Sequence, residues 1–183
     1  MKTNETRALT ATGKDDWLTP PAVLEALNAE FRFSLDAAAS GPGPLGLRWL
    51  GPGGEAPDAL ECSWANHADV GGSVWLNPPY SRAAGRGHGI KTWHREANLQ
   101  SLAHSLEVVV LCPPHPARGW FQKYAIHADE VRVFKSRIAF IDPETLTPVK
   151  GNTQDSCLVI YRPHVPVAGW AGGPRWSWIE VPK

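Results

Sequence analysis

The stretch Ser73-Val-Trp-Leu-Asn-Pro-Pro-Tyr80 carries the strongest local signal in the sequence. The apolar run near its start predicts a short buried strand over 73–76. Two consecutive prolines cannot extend a sheet, so we expect the chain to leave the sheet rigidly after Asn77. The chain would then form a clamp for a planar group that bears an NH2. The clamp would consist of carbonyl groups without sheet partners, the Asn77 side chain and the Tyr80 ring. A base edge or a primary amide would fit, and the simpler alternative is a polar turn after a strand.

Around this stretch, apolar segments alternate with amphipathic ones. Further strands are predicted over 33–36, 107–112, 130–134, 138–141 and 157–161, and helices over 19–31, 90–105 and 117–128. The alternation predicts an α/β fold, with a mostly parallel sheet covered by helices on both faces. The last strands follow one another without an intervening helix, so we expect an antiparallel edge. Ligands of such sheets bind beyond the carboxyl ends of the strands, where 36–40 and 77–80 fall.

Length and composition set the class of protein. The chain has 183 residues, of which 43% are hydrophobic and 20% charged, as in one globular domain rather than a disordered or membrane protein. Three cysteines without a C-x-x-C pattern argue against a disulfide framework or a zinc ribbon and for a reducing compartment. The polar N-terminus has no secretory signal, so we expect a cytoplasmic location.

The net charge is zero, but the charges are unevenly distributed. Residues 1–80 hold 5 Lys and Arg against 10 Asp and Glu, and residues 81–183 hold 13 against 8. The neutral total argues against a strongly basic nucleic-acid binder, while the asymmetry suggests separate tasks for the halves. The stretch 82–95 is basic without an acidic residue, which suits phosphate contacts or, alternatively, a solvated helix face. The seven histidines show no metal-binding spacing, so we expect no metal.

The tetrapeptide at 77–80 resembles the (D/N)PPY motif of amino methyltransferases that use S-adenosylmethionine. Other segments occur in the order seen in phage-type DNA N-6-adenine methyltransferases, namely 16–20, 35–40, Asp58-Ala-Leu60 with Trp64, Trp120-Phe121 and 137–140. The resemblance covers about residues 15–161. It implies a Rossmann-like methyltransferase domain over 16–162, with 82–105 as a candidate nucleic-acid-contacting insertion. A flexible arm (1–15) would precede this domain, and a Pro- and Trp-rich tail without periodicity (163–183) would follow it.

The same resemblance implies methyl transfer from S-adenosylmethionine to the N6 amine of adenine in double-stranded DNA. Since that amine is out of reach inside a duplex, the base must be flipped out. The catalytic residues implied are Asn77, Pro78, Pro79 and Tyr80. The Asn77 side chain and the Pro78 carbonyl would accept hydrogen bonds from the amine, while Tyr80 stacks on the base and positions it.

The implied cofactor site combines three segments. Its residues are Trp17, Thr19, Pro20, Asp36, Ala37, Ala38 and Asp58. Asp36 would meet the cofactor's ammonium group, and Asp58 its ribose or adenine unless it is a solvated loop carboxylate. Thr19 suits the cofactor carboxylate and could equally be the N-cap of the first helix.

Nucleic acid is expected to contact the stretch that follows Tyr80, through Ser81, Arg82, Arg86, Lys91 and Arg95. Little of the chain is left for a target-recognition domain, so a short or relaxed specificity is expected. The same clamp would also serve a glutamine amide in a protein or a base in RNA. A non-catalytic nucleic-acid-binding module on a methyltransferase fold is the alternative from another class.

Overall fold

The computed structural model of the chain describes residues 17–80, 88–149, 152–163 and 173–182. The arm predicted over 1–15 lies outside them. Three helices and seven strands form within these ranges: α1 (Pro21–Phe31), β1 (Phe33–Asp36), β2 (Arg48–Trp49), β3 (Ser73–Leu76), α2 (Ile90–His104), β4 (Val108–Cys112), α3 (Gly119–Lys123), β5 (Glu130–Phe134), β6 (Cys157–Tyr161) and β7 (Arg175–Ile179). Two short 3-10 helices lie between these elements, Trp64–Asn66 before β3 and Ala125–His127 after α3.

The described strands form one sheet in the order β2-β1-β3-β4-β6-β5-β7. The pairs β1–β2, β1–β3, β3–β4 and β5–β7 are parallel, whereas β6 runs antiparallel to both β4 and β5. The predicted α/β fold with a mostly parallel sheet is therefore confirmed. The prediction that the antiparallel strand lies at the edge of the sheet is wrong. The antiparallel strand is β6, which lies inside the sheet, and the edge strand is β7, which is parallel to β5.

Helices cover both faces of the sheet. On one face α1 packs the four side chains that its spacing predicted as core: Val23, Leu24, Leu27 and Phe31. On the other face α2 and α3 contribute Trp93, Ala97 and Phe121. Strands β4 and β6 are buried at every position, as expected of apolar runs covered on both sides.

The two strand cysteines are core residues, as the apolar strands around them predicted. Cys112 and Cys157 are ladder partners on β4 and β6, and their Sγ atoms lie 3.6 Å apart. Burial raises the pKa of the Cys112 thiol well above its usual value, and the neighbouring Cys157 adds to this. Both cysteines are free thiols, and the half-buried Cys62 is a free thiol as well.

Three segments differ from the prediction. Among the described residues, 138–141 form no strand. Ile138 and Phe140 are buried, and Ile141 makes isolated bridges to Leu18 and Pro148. The helix predicted over 117–128 is shorter, with α3 followed by a 3-10 turn. The tail after 163 supplies β7, an edge strand that the sequence analysis did not assign.

A network of charged side chains ties α1 to the sheet at the amino ends of the parallel strands. Arg132 donates two hydrogen bonds of 2.7 Å to Glu30 on α1 and two, of 2.9 and 3.2 Å, to Glu130. Arg162 donates to Glu107 at 2.7 Å and to Glu130 at 3.1 Å. Burial opposes ionisation of Glu130, but the bonds from Arg132 and Arg162 hold the pKa of this carboxyl below its usual value.

Candidate active site

A cleft of about 530 Å³ opens at the carboxyl ends of β1 and β3. Its walls come from the segment before α1, the loops after β1 and β2, the chain after β3 and the start of α2. Among the described residues, it brings together seven of those predicted from sequence: Trp17, Thr19, Asp36, Ala38, Asp58, Asn77 and Pro79. Predicted cofactor-binding and catalytic side chains therefore share one cavity.

The other predicted residues of these segments lie just outside the cleft. Ala37 and Pro78 are buried and do not line the cavity. Pro20 ends the extended approach to α1, and its carbonyl accepts hydrogen bonds from the N–H groups of Val23 and Leu24. Tyr80 is half-buried against the core on the α2 side of the sheet.

Asp36 is the last residue of β1, at the edge of the cleft. One carboxylate oxygen accepts a hydrogen bond of 3.1 Å from the Ala38 N–H, and in the described part of the chain the carboxylate pairs with no cation. Burial raises the pKa of Asp36 to about 6, against a smaller opposing effect of that hydrogen bond. A desolvated carboxylate at the edge of a cleft, with no cationic partner in the described residues, is well suited to a positively charged ligand group.

The loop after β2 folds back to form one wall. The Asp58 carboxylate accepts a hydrogen bond of 2.9 Å from the Leu60 N–H, which fixes a turn at the cleft wall. Gly51 has φ of 142°, and a side chain there would collide with the Ala39 carbonyl oxygen. Glycine is thus required where the loop passes close to the chain that leaves β1.

The Asn77 amide is held from both sides. Its Nδ2 group donates to the Thr19 hydroxyl at 3.3 Å, and its Oδ1 atom accepts from the Tyr80 hydroxyl at 3.3 Å. The Tyr80 hydroxyl also lies 3.4 Å from the Leu111 carbonyl oxygen. These contacts give the amide a defined orientation, because the donor and acceptor ends of Asn77 have different partners.

Thr19 has a different role from the N-cap considered in the sequence analysis. The N-cap position of α1 is Pro20, and no side chain caps the helix. Thr19 is 5% exposed, and its hydroxyl meets Asn77 across the cleft, 58 residues away in sequence. The segment before α1 therefore contacts the tetrapeptide at 77–80 directly.

The predicted nucleic-acid contacts are described only in part. Lys91 and Arg95 lie on the first two turns of α2, one helical turn apart, and both are exposed. Ser81, Arg82 and Arg86 lie outside the described residues. The His94 side chain, which the basic stretch also contains, is fully buried and so does not face solvent.

His94 anchors α2 to the sheet. Its Nδ1 atom is 2.9 Å from the Tyr161 hydroxyl, and its ring stacks on Trp120 with centroids 4.6 Å apart. Burial lowers the pKa of His94 to about 3, so the ring is neutral at physiological pH. The helix that carries Lys91 and Arg95 is thus fixed by a neutral, buried contact.

Several cleft residues were not predicted. His88, Trp93 and Leu60 line the cavity, as do the glycines and prolines of 41–44. The Trp93 indole N–H is buried without a hydrogen-bond partner. The sequence pattern predicts that a Trp on an amphipathic helix belongs to the core. Only the position of α2 beside the cleft shows that Trp93 also lines the cavity.

Metal-binding clusters and membrane-spanning helices are both absent from the residues that the structure describes. Within them, no group of three or more His, Cys, Asp or Glu side chains is placed to hold a metal ion. None of their helices has the length and apolar character needed to cross a membrane.

A cleft beyond the carboxyl ends of a mostly parallel sheet is where α/β enzymes bind their ligands. The family model described as DNA N-6-adenine-methyltransferase (Dam) matches residues 6–171. The chain therefore belongs to this family, which is a family of DNA adenine-N6 methyltransferases.

Two phage proteins, each named DNA N-6-adenine-methyltransferase, are similar to this chain. The protein of Escherichia phage T1 is 26% identical over 165 residues, which cover 81% of this chain and 63% of the phage protein. The protein of Haemophilus phage HP1 (strain HP1c1) is 29% identical over 156 residues, which cover 84% of this chain and 82% of the relative. The chain thus spans somewhat less than two thirds of the first relative and most of the second.

Proposed function

We propose that this protein transfers a methyl group from S-adenosylmethionine to the exocyclic N6 amine of adenine in duplex DNA, on a Rossmann-like domain. The single observation that carries the proposal is the cleft that joins Asp36 and Asp58 to Asn77. The cleft volume of about 530 Å³ is in the range of pockets that bind small molecules and cofactors.

The residues around the cleft fit the cofactor by their chemistry. The Asp36 carboxylate has no cationic partner among the described residues and would hold the ammonium group. Trp17 and Leu60 offer apolar surface for a purine, and Asp58 offers an acceptor for ribose hydroxyls or an adenine amine. When bound, S-adenosylmethionine supplies an electrophilic methyl group on a sulfonium.

The protein's task is then to position a weak nucleophile. The adenine lone pair is delocalised into the ring, and hydrogen bonds from the amine to the Asn77 Oδ1 atom and the Pro78 carbonyl would favour the tetrahedral nitrogen that develops during attack. Tyr80 would stack on the flipped base, with Pro79 in the cleft wall beside it. Thr19 would keep the Asn77 amide turned so that Oδ1 faces the amine.

Duplex DNA would approach along the stretch that begins after Tyr80. Lys91 and Arg95 project from α2 into solvent and would contact phosphates, together with Ser81, Arg82 and Arg86. Since its relatives are phage proteins and its described cysteines are free, we propose that it acts in the cytoplasm of a bacterial host.

Tritiated-methyl transfer to unmethylated DNA, RNA and protein, followed by nucleoside analysis, tests the proposal. We expect N6-methyladenine in duplex DNA. If the label appeared only in RNA or only in protein glutamine, that molecule would replace DNA as the proposed substrate. Absence of any calorimetric or thermal response to S-adenosylmethionine would leave the non-catalytic binding module as the better account.

A further inference from the structure

The outer edge of the sheet carries an exposed aromatic surface that the proposed reaction does not use. On β7, Trp176 is 54% exposed and Trp178 is 67% exposed. Trp176 stacks on Phe121 of α3, with ring centroids 5.9 Å apart and an angle of 22° between the ring planes. The half-exposed Ile126 lies beside Gly173 at the start of this strand.

Basic residues lie on the segment that packs against this strand through Phe121. Residues 113–128, which include α3, contain Arg118 and Lys123, both exposed, and no Asp or Glu. The described residues 173–179 likewise contain no acidic residue. At the carboxyl end of β7, the Glu180 carboxylate is paired with Lys135 at 2.6 Å. We call Arg118, Lys123, Ile126, Trp176 and Trp178 the β7 surface; its charge is positive and its centre is apolar.

The β7 surface is level with the catalytic tetrapeptide. Ladder partners lead from Trp178 through β5 and β6 to Cys112 on β4. Leu76 of β3 pairs with Val110, two positions before Cys112, so Trp178 lies two residues beyond the level of Leu76, toward the edge where the chain enters 77–80. Trp178 also stands on the same face of the sheet as Tyr80, because its partner Val133 packs into the core that Tyr80 contacts.

The distance between the two places suits a duplex. Four strand spacings separate β3 from β7, which is about 19 Å. A duplex rises 3.4 Å per base pair, so this distance corresponds to about 5–6 base pairs. DNA whose target base enters the cleft would reach the β7 surface if it runs along the carboxyl edge of the sheet.

We infer that the β7 surface binds the flank of duplex DNA about 5–6 base pairs from the target adenine. This inference rests on the proposed function for the position of the target base. Arg118 and Lys123 would contact phosphates, and the indole rings would pack on deoxyribose while their N–H groups donate to phosphate oxygens. The surface would add affinity without reading sequence.

Duplex length separates this contact from those near the cleft. Kd would be measured by fluorescence anisotropy for a duplex of about 30 base pairs and for one of about 8, each centred on an adenine. We expect Trp178→Ala to raise Kd for the long duplex about tenfold and for the short one less than twofold. Trp178→Phe should retain most of the affinity and controls for loss of the edge strand.

The cations have their own readout. The double variant Arg118→Gln with Lys123→Gln should reduce the slope of log Kd against log salt by about 2 for the long duplex. Matched controls are Arg32→Gln, an exposed cation directly before β1 and far from β7 in the strand order, and Leu146→Ala, an exposed apolar side chain in a turn. Both should leave the long-duplex Kd unchanged.

An equal effect of Trp178→Ala on both duplexes, or no effect on either, would overturn the inference. Tighter binding of the long single strand with the same dependence on Trp178 would overturn its assignment to duplex. Methyl transfer is measured in parallel on the short duplex. If transfer is absent but long-duplex binding depends on Trp178, only the proposed function fails; if transfer is present and binding is independent of Trp178, only the inference fails.

Discussion

The Tyr80 hydroxyl donates a hydrogen bond of 3.3 Å to the Asn77 Oδ1 atom, which is the acceptor proposed for the target amine. The same hydroxyl lies 3.4 Å from the Leu111 carbonyl oxygen. A single hydrogen is thus shared between two acceptors at long distances, so neither bond is strong. An arriving amine can take the place of the hydroxyl at Asn77 while the hydroxyl turns to Leu111.

This relationship predicts that the Tyr80 ring matters more than its hydroxyl. Tyr80→Phe should keep kcat/KM within about fivefold of the parent, because a typical hydrogen bond contributes only about 1 kcal/mol. Tyr80→Ala should lower kcat/KM by about 10- to 100-fold, because base stacking on an aromatic ring is worth about 1–3 kcal/mol. Steady-state methyl transfer measures both, and an equal loss in the two variants would contradict the stacking role.

Asn77→Ala should abolish turnover and leave S-adenosylmethionine affinity within about threefold of the parent, because the amide serves the target amine rather than the cofactor. Asn77→Asp keeps an acceptor at the same place and should retain part of the activity. Methyl transfer and titration calorimetry give the two quantities. Loss of cofactor binding in step with turnover, in a folded variant, would remove the assigned role.

Thr19→Val should lower kcat about tenfold, since the half-buried Asn77 Nδ2 group loses its acceptor and the amide loses its orientation. Thr19→Ser restores the hydroxyl and is the matched control. The measurement is kcat at saturating DNA together with calorimetric cofactor affinity. A fall in kcat for Thr19→Ser as large as for Thr19→Val would argue against the hydrogen bond as the cause.

Asp36→Asn should stabilise the ligand-free protein and weaken cofactor binding. Burial raises the folded-state pKa of Asp36 to about 6, above the ordinary value of 3.8, so the carboxylate opposes folding above pH 6 and this effect disappears as pH falls toward 4. The variant should therefore unfold with a free energy higher by about 1–3 kcal/mol at pH 7.5 and show little gain near pH 4. Urea unfolding at the two pH values measures this.

The same carboxylate predicts a pH dependence of cofactor affinity. Pairing with an ammonium group needs ionised Asp36, so S-adenosylmethionine affinity should fall as pH drops through about 6 in the parent and stay low and flat in Asp36→Asn. Calorimetry between pH 5 and pH 8 is the direct check. Parallel pH profiles for the parent and the variant would exclude Asp36 as the cofactor's anion.

Arg132→Gln should reduce the free energy of unfolding by about 2 kcal/mol at pH 7, because Glu130 would lose its main partner. The pKa of Glu130 is held below 4.5, so this stabilisation is present above that value and is lost as pH falls through the lower folded-state pKa. The difference from the parent should shrink below pH 4.5 in urea unfolding. Glu30→Gln, at a half-exposed partner, should cost less than about 1 kcal/mol.

The sequence predicted those parts of the fold in which one local pattern dominates. Strands such as Val108–Cys112 are continuous apolar runs, and α1 repeats its core residues at helical spacing. The place of β6 inside the sheet could not be predicted, because local patterns do not encode which strands pair. The β7 strand escaped because an edge strand with exposed Trp176 and Trp178 shows no buried face.

The same division holds for the cleft. Asp36 and Asn77 were predictable because each follows a buried strand of a parallel sheet, and such ends meet at one edge. The contact between Thr19 and Asn77 was not, because it joins segments 58 residues apart. Trp93 was missed because a residue on a core face can also line a cavity, and only packing distinguishes the two.

The insertion of β6 between β4 and β5 sets an order of events during synthesis on the ribosome. Residues 157–161 leave the ribosome long after Val108–Cys112, and until then β4 and β5 lack the strand that joins them. At about 5–20 residues per second, the nascent chain spends several seconds with these apolar edges unpaired. The elements that carry the cleft come first along the chain, and their sheet closes only when the antiparallel strand arrives.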